Sequence, residues 1–422
     1  MKIIFCFSAS FILILSITAQ NIARGPYLQL GTPNSIIVRW RTDLNAVGEV
    51  KYGTAGNNLT QSAVGTNTTE HEIKITGLQP NTKYYYAVYA NNNLLTTPAD
   101  STYYFITSPI PGTEQPIHIW VIGDFGRNNQ EQKDVRDAYW NGAKNNRHTD
   151  VWLWTGDNAY GDGTDWEYQN NVFNVYPEIF RNTVAWPCPG NHDYKSVSIT
   201  THDGPYYRNF SLPENGEAGG VPSGEEGFYS FDYGNIHFVS INSEWALWTF
   251  TNNNAQTQWL HEDLSSTDKK WIIAYWHKPP YSKGSHDSDN TGDMAVMRTN
   301  INPILEQYGV DLVLNGHSHN YERSFLMKGH TGTSSTFDAA AHIVDASCGS
   351  PMDGQQYTKY TDGDSANIGT VYCVVGNSGS GTTGKPLNHP VFCNAFQGEY
   401  GSLTIDVNGN ELVAKYTTGQ GL

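Results

Sequence analysis

Five short motifs carry the residue types of a metal-dependent reaction. They are Gly123-Asp124-Phe125-Gly126, Gly156-Asp157-Asn158-Ala159-Tyr160, Gly190-Asn191-His192-Asp193, Trp276-His277-Lys278-Pro279 and Gly316-His317-Ser318-His319. A Gly-Asp pair alone is usually a turn, and a lone His is usually a satisfied polar residue. Five such motifs in one order are harder to explain that way. Aspartate can bridge two cations, an Asn carbonyl is a neutral oxygen donor, and imidazole suits zinc, iron and related ions. Two metals about 3.5–4 Å apart can clamp a phosphoryl group and activate a water. The motifs therefore point to hydrolysis at phosphorus, and no Ser or Cys nucleophile motif competes with them.

Each motif follows an apolar run that reads as a strand. Residues 117–122, 151–154, 271–276 and 310–314 are predicted strands, and 130–144, 165–180, 255–264 and 295–308 are predicted helices. That alternation is α/β patterning, and in an open α/β sheet ligands gather beyond the carboxyl ends of the strands. All five motifs can then line one crevice. Residues 228–232 and 236–241 read as a strand pair, 376–384 as a Gly/Ser/Thr loop, and Asn408-Gly409 as a hairpin turn in a β-rich tail.

Residues 24–108 read differently. Short alternating runs at 36–40, 49–52, 72–75, 84–89 and 103–105 are separated by Gly, Asn, Pro and Thr, which predicts a small all-β domain. Trp40 and Tyr84 are expected in its core. The stretch Leu78-Gln79-Pro80-Asn81-Thr82-Lys83-Tyr84 resembles the tyrosine corner of fibronectin type III domains. Residues 107–113 read as a linker, and the catalytic domain is expected at 116–422.

Residues 1–19 have a positive start, an apolar run from 3 to 17 and a small residue at Ala19, the pattern of a cleaved secretory signal. The expected location is secreted, extracellular or periplasmic. An export route permits disulfides among Cys188, Cys348, Cys373 and Cys393, with Cys373–Cys393 and Cys348–Cys393 both plausible. The net charge of −16 and the lack of a basic stripe argue against nucleic-acid binding. No segment after the signal is apolar enough to span a membrane. Oligomeric state is not legible.

Together these residues resemble the purple acid phosphatases, a branch of the calcineurin-like metallophosphatases, over nearly the whole chain after the signal. The resemblance includes the extended pattern Gly316-His317-Ser318-His319-Asn320-Tyr321-Glu322-Arg323 and the fibronectin-like segment. Many metallophosphatases carry a metal-binding His where Gly126 stands. Tyr160, three residues after Asp157, is placed as in the purple branch. The resemblance implies a four-layer αββα metallophosphatase sandwich preceded by a small all-β sandwich domain. It also implies that Asp124, Tyr160 and His319 bind Fe(III), that Asn191, His277 and His317 bind a divalent Zn, Fe or Mn, and that Asp157 bridges them. The one departure noted is Ala274, where Val is usual, in a position that only packs.

By the same resemblance, His192 and His286 stand near the leaving group, where a protonated imidazole binds phosphate and donates a proton. His202 is a weaker candidate. Tyr321 and Arg323 are expected to support the last motif, with Arg323 contacting phosphate or forming a structural ion pair. The implied activity is that of a secreted acid phosphatase. It hydrolyses small-molecule phosphomonoesters through a binuclear centre and a metal-bound hydroxide. The alternatives are a phosphodiesterase or nucleotidase on the same scaffold, or a non-catalytic secreted binding or adhesion protein.

Overall fold

The computed structural model describes residues 20–97, 100–199, 202–245, 254–350, 355–363 and 366–421. The signal expected at 1–19 lies outside them. Among the described residues, no helix is long and apolar enough to cross a membrane.

The N-terminal region is an antiparallel sheet built on one long strand, Ser35–Gly53. It pairs with Gln61–Thr76 along nearly its whole length, and on its other edge with Ile22–Gln29 along its first part and with Lys83–Ala90 along its second. Its register with Gln61–Thr76 shifts between Arg41 and Ala46. Such a shift bends a strand and increases its twist. Ile36, Val38 and Trp40 before the shift, and Val50 and Tyr52 after it, therefore enter one core with Ile73, Ile75, Tyr84, Tyr86 and Val88. The period of two along each run is what turns these side chains to one side. The runs expected at 36–40 and 49–52 are thus one strand. Tyr84 makes the expected corner: its hydroxyl accepts the Gln79 N–H at 3.0 Å.

The rest of the chain forms two facing mixed sheets. One has the spatial order Glu411–Thr418, Gly401–Asn408, Ile117–Ile122, Val151–Trp154, Ala185–Pro187, and its last three strands are parallel. The other centres on four parallel strands, Ile236–Ser240, Trp271–Trp276, Leu312–Asn315 and Val371–Val375. Aromatic side chains fill the space between the sheets, with Trp186 stacked on Phe231 at 3.8 Å. The outer faces are covered by helical segments. Tyr139 stacks on Trp120 at 4.1 Å on one side, and Leu260 and Leu305 pack with Val239, Ala274 and Val313 on the other. This is the four-layer αββα arrangement.

The predicted long helices are broken. Residues 165–180 divide into a short α-turn, a π-turn at Tyr168–Phe173 and Pro177–Phe180, and residues 295–308 divide around a π-turn at Met297–Ile301. In both regions a proline, Pro177 or Pro303, opens the last segment. Proline has no N–H to donate and fits the first turn of a helix, so it restarts a helix rather than continuing one. The hairpin Gly401–Asn408/Glu411–Thr418 turns through Gly409, at φ +60, and Asn410.

The N-terminal sheet is fastened to the following layers by the buried Arg24 and the partly buried Arg41. Arg24 bonds to Asp165, Gln169 and Asn209, and Arg41 meets Asp165 through two nitrogens. The Tyr86 hydroxyl donates to Arg181 O at 2.8 Å. Residues 107 and 108, expected in a linker, are buried and bonded to this sheet, with Ser108 N donating to Thr32 O. Of the cysteines, Cys348 and Cys393 form a disulfide, while Cys188 and Cys373 are buried free thiols.

Candidate metal centre

All five motifs lie just beyond the carboxyl ends of parallel strands. Asp124 follows Ile117–Ile122, Asp157 follows Val151–Trp154 and Asn191 follows Ala185–Pro187 in one sheet. His277 follows Trp271–Trp276 and His317 follows Leu312–Asn315 in the other. The facing sheets direct these ends to a common edge. Asp124, Asp157 and His317 have φ of +54, +51 and +65. Non-glycine residues rarely adopt that left-handed region, and it is concentrated at functional sites held by surrounding structure. Here the turns are over-determined. Asp124 N donates to Gly156 O, and His317 N donates to Asp124 Oδ2 at 2.8 Å.

The seven side chains expected as ligands converge. Tyr160 Oη lies 2.9 Å from Asp124 Oδ1, 3.0 Å from Asp157 Oδ2 and 3.3 Å from His319 Nε2. His277 Nε2 lies 3.1 Å from His317 Nδ1, 3.2 Å from Asn191 Oδ1 and 3.4 Å from Asp157 Oδ1. Asp157 thus touches both groups. Among the described residues, Asp124, Asp157 and His277 form a buried set whose ligand atoms all lie within 4.8 Å of one another.

The donor chemistry fits metal ions. His277 Nδ1 donates to the Thr155 carbonyl at 2.9 Å, an outer contact that fixes its tautomer and aims Nε2 at the cluster. A carboxylate oxygen, an amide oxygen and a second imidazole crowd that Nε2, and only positive charge reconciles so many lone pairs. Without a metal, a proton serves. Burial alone would lower the His277 pKa, but Asp157 and Asp124 raise it to about 10. Burial would raise Asp157, yet His277 outweighs it and holds the carboxyl well below its usual range. The Tyr160 phenol is pushed far up by burial and by the charges of Asp124 and Asp157, so its phenolate needs a strong cation beside it.

Glycines make room for this packing. A side chain at Gly316 would begin 2.5 Å from Asp124 Oδ2. At Gly126, where many metallophosphatases carry a His, a Cβ would run into the Asn158 carbonyl, and Gly126 O accepts the Tyr160 N–H at 2.8 Å. The backbone that excludes a side chain at 126 also fixes Tyr160.

His192 and His286 flank the cluster. The His192 ring centroid is 4.2 Å from that of Tyr160, its backbone N–H donates to Asp157 Oδ1 at 2.7 Å, and Lys195 Nζ lies 2.8 Å from Nδ1. The His286 ring stacks on His317 at 3.8 Å, and burial lowers its pKa. His202 stands apart from these contacts. It pairs with Glu225 at 2.7 Å and stacks on Tyr207 and Trp245. Among the described residues Arg323 forms no ion pair. Its guanidinium donates to Cys348 O at 2.8 Å, tying its strand to the disulfide.

Several contributors escaped the sequence reading. Asp193, fully buried, accepts from Gly190 N, Asn158 N and the Tyr168 hydroxyl, and so joins two motif loops. Burial and the nearby Asp157 push its pKa up to about 7. Arg127 lies 3.7 Å over the Tyr160 ring and bonds to Ser380 in the loop read only as Gly/Ser/Thr-rich. Ser378 N from that loop donates to Gly123 O. Lys278 is held between Glu244 and Asp293 at 2.8 and 2.6 Å. The signals were proximity to a motif for Asp193, Arg127 and Lys278, and none for the serines.

Comparison with known proteins identifies the family. Residues 117–321 match the calcineurin-like phosphoesterase family, and residues 23–107 match the N-terminal domain of purple acid phosphatases. The chain is 27% identical to Purple acid phosphatase 15 of Arabidopsis thaliana over 67% of its own length and 57% of that protein. It is 26% identical to Purple acid phosphatase 1 of Ipomoea batatas over 82% of its length and 71% of the relative. The fold matches that of a purple acid phosphatase from yellow lupin seeds with a TM-score of 0.67 at 18% identity, covering 94% of this chain and 72% of the lupin chain. With both family segments present in order, the chain belongs to the purple acid phosphatases of the calcineurin-like phosphoesterase family.

Proposed function

We propose that this protein hydrolyses phosphate monoesters with a binuclear metal centre. The observation that carries this reading is the convergence of seven donor side chains from five strand ends. Asp124, Tyr160 and His319 would hold one ion, Asn191, His277 and His317 the other, and Asp157 both. The phenolate favours Fe(III) at the first position, and the neutral set suits divalent Zn, Fe or Mn at the second. When bound, such a pair polarises phosphoryl oxygens and acidifies water.

The protein's own residues do the remaining work. Asp157 keeps the two halves of the site together and, through Oδ1, anchors the His192 amide. His192, with Lys195 beside it, and His286, on a loop stacked against His317, offer cationic or proton-bearing groups around an anionic ester. Either imidazole can donate a proton to the departing alcohol oxygen. In a chain of net charge −16, bound cations and these groups supply the local positive charge an anionic substrate requires.

Residues 24–108 are proposed as a fibronectin type III-like domain and 116–422 as the catalytic domain. The mature protein is proposed to be exported after removal of residues 1–19. The Cys348–Cys393 disulfide suits an oxidising compartment. Assays of the purified holoenzyme on a monoester, a diester and a nucleotide test the reading. Hydrolysis confined to the diester would replace it with a phosphodiesterase, and inactivity toward all three would overturn it.

A further inference from the structure

His286 reaches the metal centre on the loop 281–289, which lies directly across the Gly316-His317-Ser318-His319-Asn320 motif. The contacts between the two are specific. Ser285 Oγ accepts the His319 N–H at 2.9 Å, and the His286 N–H points to Ser318 Oγ at 3.4 Å. The Ser282 and Ser318 hydroxyls lie 2.7 Å apart. A Cβ on Gly284 would strike Asn320 Oδ1 and Ser318 Oγ, so no side chain fits between loop and motif there.

Beneath this seam lies Glu322, on the strand Tyr321–Ser324 and with no exposed surface. Among the described residues, its carboxylate pairs with no Lys, Arg or His side chain. Oε1 accepts the Lys283 N–H at 2.9 Å, and Oε2 accepts the Ser282 hydroxyl at 2.6 Å. Ser282 Oγ then accepts the Gly284 N–H at 3.0 Å. The carboxylate therefore holds the loop three to four residues before His286. The far side of the loop is held separately. Lys283 Nζ pairs with Asp287 and Asp289, and Arg298 donates to Pro280 O and Ser288 O.

Burying a carboxylate is costly unless it serves donors that nothing else satisfies. Here the two donors are the amide and hydroxyl that set the path of the chain into His286. We infer that Glu322 is a positioning residue that holds the His286 imidazole against the metal centre through the Ser282 hydroxyl and the Lys283 amide. This inference rests on the proposed hydrolase reading.

Glu322→Gln is the discriminating variant. It keeps the volume, but one end of its side chain becomes an NH2 group that must face a donor. The test measures kcat and KM on p-nitrophenyl phosphate for the wild-type holoenzyme, Glu322→Gln, His286→Ala and the double variant. Metal content and backbone hydrogen exchange over 281–289 are measured on the same proteins. Glu322→Gln is expected to lower kcat about tenfold, the scale of a displaced catalytic group, with a smaller effect on KM. Metal content should stay at the wild-type level, and exchange over 281–289 should accelerate. In the His286→Ala background the same change should cost nothing further in kcat.

An undiminished loss in that background would overturn the inference, as would wild-type exchange over the loop or loss of metal in step with activity. A wild-type protein inactive on phosphate esters would instead overturn the proposed function. Hydrogen exchange would then still decide whether Glu322 holds the loop.

Discussion

His277 Nε2 faces the side-chain oxygen of Asn191 across 3.2 Å, and in the neutral imidazole neither atom has a hydrogen to give. The ring's one N–H is committed to the Thr155 carbonyl. This arrangement, repeated against Asp157 Oδ1 at 3.4 Å, is the one expected of ligands that share a cation. The purified protein is expected to hold two transition-metal ions per chain. Asp157→Asn should reduce that number, because the residue faces both halves of the cluster. Elemental analysis of the two proteins, normalised to protein concentration, checks it; equal metal content would remove Asp157 as a bridge.

Tyr160 is expected to give the metal-loaded protein its visible colour. Its hydroxyl is in contact with Asp124, Asp157 and His319, and burial hinders phenolate formation without a metal. Tyr160→Phe is expected to abolish a visible absorption band while far-ultraviolet circular dichroism is unchanged. Arg127→Leu should shift the band, since the guanidinium lies 3.7 Å over the same ring and acts on its electrons. Spectra of the three proteins at equal iron content decide both points.

His192→Ala should lower kcat by about 100-fold, within the usual range for a lost proton donor, and leave metal content near wild type. Its imidazole touches the outside of the cluster through the Tyr160 ring, whereas its backbone N–H, which the variant keeps, makes the short bond to Asp157. Turnover and metal retention falling together would make His192 structural.

A buried network away from the site gives the stability a pH dependence. His237 donates to Asp232 Oδ1 at 2.8 Å and Asp263 Oδ2 at 2.9 Å, with Lys269 beside Asp232 at 3.5 Å. Burial would lower its pKa, but the two carboxylates raise it from 6.5 to about 9. A raised folded-state value means the stabilisation is fully present below about pH 6.5 and is lost as pH rises through about 9. Its size is roughly 3 kcal/mol. Denaturant midpoints of the wild type should fall across that window. His237→Gln should be less stable at pH 6 and show a flatter profile.

Asp165 acts in the opposite sense. Arg24 and Arg41 outweigh the effect of its partial burial and hold its carboxyl at about 2, below the ordinary 3.8. Its contribution is present above pH 3.8 and disappears as pH falls through about 2. The side chain is nearly half exposed, so Asp165→Asn should cost no more than about 1 kcal/mol at pH 5. Thermal melts of the two proteins should converge at the acid end.

Much of the architecture was legible because it is written locally. Tyr84 and Gln79 are five residues apart, so the corner they form is visible as a short string. The strand Ile117–Ile122, buried along its full length, shows as an apolar run interrupted only by His118. The long helices misled for the converse reason. Their apolar periodicity ran through Pro177 and Pro303, and the period by itself does not register a missing N–H.

The residue types and order of the five motifs, the Tyr in place of a second-position His and the alternation of strands and helices were determined by the sequence alone, since each is a property of neighbouring residues. Which cysteine joins Cys393, where Arg323 points, and that Glu322 lies under the loop bearing His286 were decided only in three dimensions. Those relations join segments far apart in the chain, and the packing of two sheets face to face sets the distances between them. No local spacing encodes such distances.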